Sequence, residues 1–256
     1  ATTNNDSLLI TFTLSEAASN FAQSDVSLSG GQLSSFISSS SAVYSAVFKP
    51  SSAGETTMDI AANKFTDSAG NNNSASSQFN WSFDNIAPTI TIAAKNSAGN
   101  VIADGATTNN DSLLITFTLT EAASNFAVSD VSVSGGQLSS FTSSSSTVYS
   151  GVFKPSSAGE TTIDVAANKF TDSAGNNNSA SSQFNWSFDN IAPSISTVAL
   201  LSDNSAVEVQ LSESAFSQNN GSGELATSDF QFSMVGGTAS LSSTAPTALT
   251  KNGNIY

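Results

Sequence analysis

The sequence predicts an all-β chain built as tandem antiparallel β-sandwiches, beads on a string. Three observations carry this reading. A segment of 90 residues, Ala1–Ile90, recurs at Ala106–Ile195 with a constant offset of 105 and nine differences. A period near 100 residues is too long for a solenoid unit of roughly 20–50 residues and suits one small all-β domain per copy. Within each copy, short runs alternate apolar and polar residues with period two, the mark of a half-buried strand. Turn chemistry separates the runs, and no stretch has helical periodicity with caps.

The strands follow in order. Ser7–Ser15 puts Leu8, Ile10, Phe12 and Leu14 on one face. Val43–Lys49 sets Tyr44, Ala46 and Phe48 against Val43, Ser45 and Val47. Thr57–Phe65 carries Met58, Ile60 and Ala62 on one side, and Gln78–Asp84 carries Phe79, Trp81 and Phe83 opposite Asn80 and Ser82. Thr89–Ala94 is a further β-rich run. Gly30-Gly31, Lys49-Pro50 and Ala69-Gly70-Asn71 mark turns, and the Ser38–Ser41 run is expected to be a loop. Leu8, Phe12, Tyr44, Phe48, Phe79 and Trp81 are expected in the core of the first copy.

Domain boundaries fall at Asp84-Asn85-Ile86-Ala87-Pro88 and Asp189-Asn190-Ile191-Ala192-Pro193, where proline stiffens the chain and removes a ladder donor. The expected domains are 1–87, 88–192 and 193–256. If Thr89–Ala94 opens the second domain, the first domain lacks or borrows its own first strand. The third region is a divergent, truncated copy. Leu211-Ser212-Glu213 echoes Leu14-Ser15-Glu16, and Ser228-Asp229-Phe230 before Gly236-Gly237 echoes Ser24-Asp25-Val26 before Gly30-Gly31. Ile255-Tyr256 falls where Val43-Tyr44 does. This pattern predicts a window on a longer repetitive protein.

Composition removes several functions. Cys and His are absent and the only basic residues are six Lys, so His/Cys metal sites, thiol nucleophiles and Ser–His–Asp triads are excluded. A formal charge of −14 offers no basic surface to a nucleic-acid backbone. No apolar run reaches the length of about 18 residues that a membrane-spanning helix needs. Yet 38% hydrophobic content with 17 Phe is too apolar for a disordered acidic chain. Sequons at Asn5, Asn72, Asn80, Asn110, Asn177, Asn185 and Asn220 arise readily in a chain with 53 Ser and 25 Asn.

The one constellation with chemistry is acidic. In a sandwich of about seven strands, the loop after the second strand, the loop before the last strand and the incoming linker share one pole. For the second domain these carry Glu121, the Thr171–Asn176 loop with Asp172, and Asp84-Asn85. For the third they are Asp189, Asn190 and Glu213, and for the first Glu16 and Asp67. A hard cation such as calcium takes about six to eight oxygens, backbone carbonyls included. Asp-x-Ala-Gly-Asn is also a good turn sequence, since Asp and Asn bond their own backbone and Gly takes positive φ. No cleft or tuned acid–base pair is marked, so no catalytic residue is expected.

The runs FTLSEAASNF, SDVSLSGGQLSSF, VYSAVFKP, FTDSAGNNNS and FDNIAPTITI resemble the bacterial immunoglobulin-like repeats of giant secreted adhesins and related surface proteins. The resemblance covers essentially the whole chain. It implies immunoglobulin-like sandwiches, an extracellular, cell-surface stalk, and calcium at domain junctions. The partners it implies are neighbouring repeats of the same chain, and other copies if the chain builds a fibre. The chain departs from calcium-rich members in having Asp-Asn where many carry paired Asp in the linker. The expected function is a spacer or stalk. The alternatives are a glycan- or protein-binding sandwich and a subunit of a self-assembling sheath or fibre.

Overall fold

The computed structural model describes residues 1–218, 221–236, 238 and 240–256. The sequon at Asn220 and the Gly237 of the third-region echo lie outside the described residues. The chain forms two compact units, 1–190 and 191–256.

The first unit holds both near-identical repeats. In repeat one, strands β1 (Thr2–Thr3), β7 (Phe79–Phe83), β6 (Gly54–Ile60) and β3 (Val26–Ser29) form one sheet in that spatial order. Strands β2 (Leu8–Thr13), β5 (Val43–Pro50) and β4 (Gly31–Ser40) form the facing sheet. Repeat two adds two strands at its start, β8 (Ile90–Lys95) and β9 (Val101–Ile102). Its other elements are β10 (Ala106–Thr108), β11 (Leu113–Leu119), β12 (Val131–Ser134), β13 (Gly136–Ser145), β14 (Val148–Pro155), β15 (Gly159–Val165) and β16 (Phe184–Phe188). They make sheets ordered β10-β16-β15-β12 and β13-β14-β11-β8-β9.

Most pairings are antiparallel, but β1 pairs parallel with β7 and β10 parallel with β16. The cause is a crossover. The opening strand of repeat two lies in one sheet as β8, antiparallel to β11, then switches to the other sheet and runs beside the last strand as β10.

The period-two reading translates into burial. Tyr44, Ala46 and Phe48 of β5 point inward, and Phe48 is fully buried. Phe48 and Trp81 meet edge to face at 4.8 Å, as do Phe153 and Trp186 at 4.6 Å, a favoured aromatic geometry. A second aromatic cluster gathers Phe12, Phe21, Phe36 and Tyr44. Buried Thr56 and Thr161 donate to the carbonyls of Trp81 (2.9 Å) and Trp186 (2.7 Å), which satisfies their hydroxyls.

Two expectations are corrected. Ser38–Ser40 belong to β4, and the turn comes at Ser41-Ala42. A bulge between Ser34 and Ile37, with Ser35 at φ 51°, re-aims the strand so that Ile37 and Ser38 still pair with Ser45 and Tyr44. Phe79 is not core: it is 58% exposed, whereas its counterpart Phe184 is 7% exposed. The difference is the strand β8, which covers that side only in repeat two. Gly31 is required by packing, since a Cβ there would collide with the Phe48 ring and the Lys49 carbonyl.

The second unit contains a hairpin, β17 (Ile195–Leu200) with β18 (Val207–Leu211). Tyr256 exchanges two backbone hydrogen bonds with Val209, each 2.9 Å, in the way β11 pairs Phe117 with Tyr149. The Ser-Asp echo is also structural. The Ala226 N–H donates to Asp229 at 2.8 Å, as Ala22 does to Asp25 and Ala127 to Asp130 at 2.9 Å.

One position tests the fold twice. F184A is expected to cost about 3–5 kcal/mol, the usual range for a buried Phe truncation. F79A, at the equivalent exposed position, should cost less than about 1 kcal/mol. Each repeat holds one tryptophan, so denaturant unfolding followed by fluorescence in W81F and W186F backgrounds reports the two effects separately.

Candidate metal centre

The junction between the repeats is built by one segment. After β7 the chain leaves repeat one at Asp84, whose N–H donates to the Thr3 carbonyl at 3.0 Å. It crosses at Asn85–Ala87 and enters repeat two at buried Pro88. Thr89 and Thr120 lock the entry reciprocally: Thr120 N–H donates to the Thr89 carbonyl (3.1 Å), and Thr89 N–H donates to Thr120 Oγ1 (2.9 Å). The second unit repeats this device with Ser194 and Ser212.

The Thr171–Asn176 loop closes the junction from the other side. Asp172 is 3% exposed, and its Oδ1 accepts the N–H groups of Ala174 (2.8 Å), Gly175 (2.8 Å) and Asn176 (2.9 Å). Asn176 Nδ2 donates both to Asp172 Oδ2 and to the Asp84 carbonyl, each at 2.9 Å. Asn4 N–H of repeat one donates to the Ala174 carbonyl at 3.2 Å, and Ser179 N–H donates to the Pro88 carbonyl at 3.0 Å.

Asp84, Glu121 and Asp172 converge here, each with a carboxylate oxygen within 4.8 Å of the others. Calcium–oxygen bonds of about 2.3–2.6 Å put ligand oxygens up to about 5 Å apart across one ion, so this spacing fits a shared cation. Glu121 stands at the end of β11, half-buried, with no hydrogen-bond donor reaching it among the described residues. Burial, then the charges of Asp84 and Asp172, push its carboxyl above the usual range. Asp172 is opposite in sign. Burial pushes it up, but the Asn176 side chain and the N–H groups of Asn176, Gly175 and Ala174 outweigh burial and hold it below its ordinary value.

The other candidates fall differently. Asn85 is exposed in the linker. Asp67 makes the same turn as Asp172, accepting Ala69 and Asn71 N–H at 2.8 Å and Asn71 Nδ2 at 2.8 Å, and Glu16 is exposed in the loop after β2. Asp67 lies below its usual range through the Asn71 side chain, then the Asn71 backbone. Asp189 repeats the Asp84 bond, donating its N–H to the Thr108 carbonyl at 3.0 Å. Asn190 is exposed at the end of the first unit, and Glu213 is half-buried just after β18 in the second. Thr3, Asn4 and Thr120 complete the junction and were not expected. Thr120 stands at one of the nine positions that differ between the repeats, the only signal the sequence offered.

The two carboxylates give opposite pH dependence. Glu121 has a folded pKa above its unfolded value, so the cation-free fold loses stability as pH rises from about 4.3 through the raised value. The contribution of Asp172 is present above its unfolded value and is lost as pH falls through its lowered folded value. E121Q is therefore expected to stabilise the cation-free chain at neutral pH and remove the loss above about pH 4.3. D172N should destabilise it at neutral pH and flatten the acid limb. Urea unfolding from pH 2.5 to 7 in chelator checks both.

The sequence profile of the bacterial Ig-like domain matches residues 1–83 and 84–188. No curated protein matches the chain significantly. Similar solved structures include InvD of Yersinia pseudotuberculosis, 13% identical with a TM-score of 0.36, over 82% of this chain and 66% of that one. SGBP-B of the Bacteroides ovatus mixed-linkage glucan utilization locus, solved with a mixed-linkage heptasaccharide, is 15% identical with a TM-score of 0.23, over 77% of this chain and 45% of that one. The Y. pseudotuberculosis adhesin InvE is 13% identical with a TM-score of 0.25, over 81% and 63%. The chain spans less than two thirds of the length of each of these proteins. With both near-identical repeats matched and each folded into two facing sheets, the chain belongs to the bacterial Ig-like domain family.

Proposed function

We propose that this chain is a structural spacer segment of a large extracellular, repetitive surface protein, an adhesin stalk or surface filament, with calcium stiffening the junction between repeats. The observation that carries the reading is the convergence of Asp84, Glu121 and Asp172 on one junction. The linker, the loop after β11 and the loop before β16 each supply one carboxylate. A cation held by all three ties the linker to two loops of repeat two. Asp84 is also anchored to Thr3 of repeat one, so the same ion resists bending between repeats.

Charge supplies the driving force. Three carboxylates within a few ångströms repel, and the junction holds no lysine ion pair among the described residues. A divalent cation removes two units of that charge and gives the Glu121 carboxylate the partner it lacks. Family membership and the acidic, Ser/Thr-rich composition support the surface location. Among the described residues, no helix is long and apolar enough to cross a membrane. The partners proposed are neighbouring repeats of a longer chain.

Calcium is expected to raise the melting temperature and lower the bending between repeats, leaving both sandwiches folded in chelator. A ligand that binds only the native junction stabilises it by about 2.7 kcal/mol at a hundredfold excess over Kd. Calorimetry and small-angle scattering of the full chain, with calcium and with chelator, read both effects. E121Q should abolish the difference. Identical melting and identical maximum dimension in the two conditions would overturn the cation part of the proposal.

A further inference from the structure

The two sheets of each sandwich differ in charge. Strands β2, β4 and β5 of repeat one and β8, β9, β11, β13 and β14 of repeat two carry Lys49, Lys95 and Lys154 and, among the described residues, no Asp or Glu. The opposite sheets carry Glu55, Asp59, Glu160 and Asp164 and, among the described residues, no Lys. The chain as a whole holds 20 acidic residues against 6 basic ones, so this sorting runs against its composition. Strand alternation aims the charges outward. Lys49, Lys95, Lys154, Glu55 and Glu160 are exposed, and Asp59 and Asp164 are half-buried.

The register of repeat two lays out both faces. On the lysine face, Lys95, Leu114, Val152 and Ser139 stand side by side across four strands. The next row is Ala93, Thr116, Ser150 and Thr142. Lys154 stands two residues beyond Val152 on β14, which puts the two lysines about 12 Å apart at ordinary strand spacings. Leu114 is 45% exposed and lies near the middle of that pair. On the acidic face, Glu160 and Asp164 are four residues apart on β15, about 13 Å, with Thr162 between them. Their neighbours are small and polar: Ser187 beside Glu160, Asn185 and Ser134 beside Thr162, and Ser132 beside Asp164.

We propose that the lysine face of one copy docks on the acidic face of another, so that chains pack side by side. The occupant is a second copy of this chain because the chain itself carries both complementary surfaces, with their charges at matching separations. Lys95 and Lys154 pair with Glu160 and Asp164, and Leu114 falls between the pairs, over Thr162. Lys49 pairs with Glu55 or Asp59 in the same way. The contact is heterologous, so each copy keeps one face free and further copies add without closure. Four strands and three rows of outward residues cover about 400 Å² per partner, about 800 Å² in total, below the roughly 1,200 Å² of a stable interface. One repeat therefore binds weakly, and affinity builds with the number of repeats aligned. Neither calcium nor the junction enters this contact.

The test is residue-resolved amide chemical shifts of the full chain in chelator, at protein concentrations rising to about 1 mM. Concentration-dependent shifts are expected together on β8, β11 and β14 and on β15 and β16. They should vanish in 1 M NaCl, where the screening length is about 3 Å. K49E/K95E/K154E and E55K/D59K/E160K/D164K should each weaken self-association about tenfold or more. Mixing the two variants, both still net negative, should restore it between them. Absence of concentration-dependent shifts would overturn the proposal, as would shifts confined to β2 or to residues 191–256. Self-association unchanged by either variant, or not restored in the mixture, would do the same. Shifts of the lysine face on adding polygalacturonate, in a chain that does not self-associate, would assign that face to an anionic polymer instead.

Discussion

The core of repeat two and its junction depend on the strand Ile90–Lys95 lying along the edge of β11. Its backbone extends the β11 ladder, and its inward residues seal a core that is otherwise open on that side. Phe184, beside this strand, is 7% exposed, whereas Phe79 of repeat one is 58% exposed. Because that strand is joined directly to the linker, completing the core of repeat two also delivers Asp84 to the junction. Packing and junction chemistry are two consequences of one connection.

The junction balances opposing terms. Asp172 is buried, and it remains ionised because three N–H groups and the Asn176 amide surround it. That network shapes the turn and would exist without any ion. Glu121 has no such support, and its carboxyl bears both the burial and the repulsion. The site is therefore a satisfied turn with one unsatisfied acid beside it. This asymmetry is what separates a junction suited to a cation from a loop that merely uses aspartate for its fold.

Much of this was legible in the sequence. Period-two alternation located β2, β5, β7 and β8, since each has one buried and one solvated face. Strand direction alone decides which loops share a pole, and that is enough to bring Asp84, Glu121 and Asp172 together. Two things were not legible. Ser38–Ser40 carry no apolar alternation, so the extension of β4 past its bulge left no pattern to read. Phe79 and Phe184 are the same residue in the same local sequence, and only a strand contributed from elsewhere makes one of them core. Burial that depends on a non-local strand cannot be read from the residue that is buried.

The proposed stalk function requires that the linker-strand make the two repeats one rigid body in calcium. Residual dipolar couplings of the backbone amides, measured on the full chain with calcium, test it most directly. A single alignment tensor fitting residues 1–83 and 84–188 together is the expected result. Two tensors of different magnitude and orientation for the two repeats would contradict it.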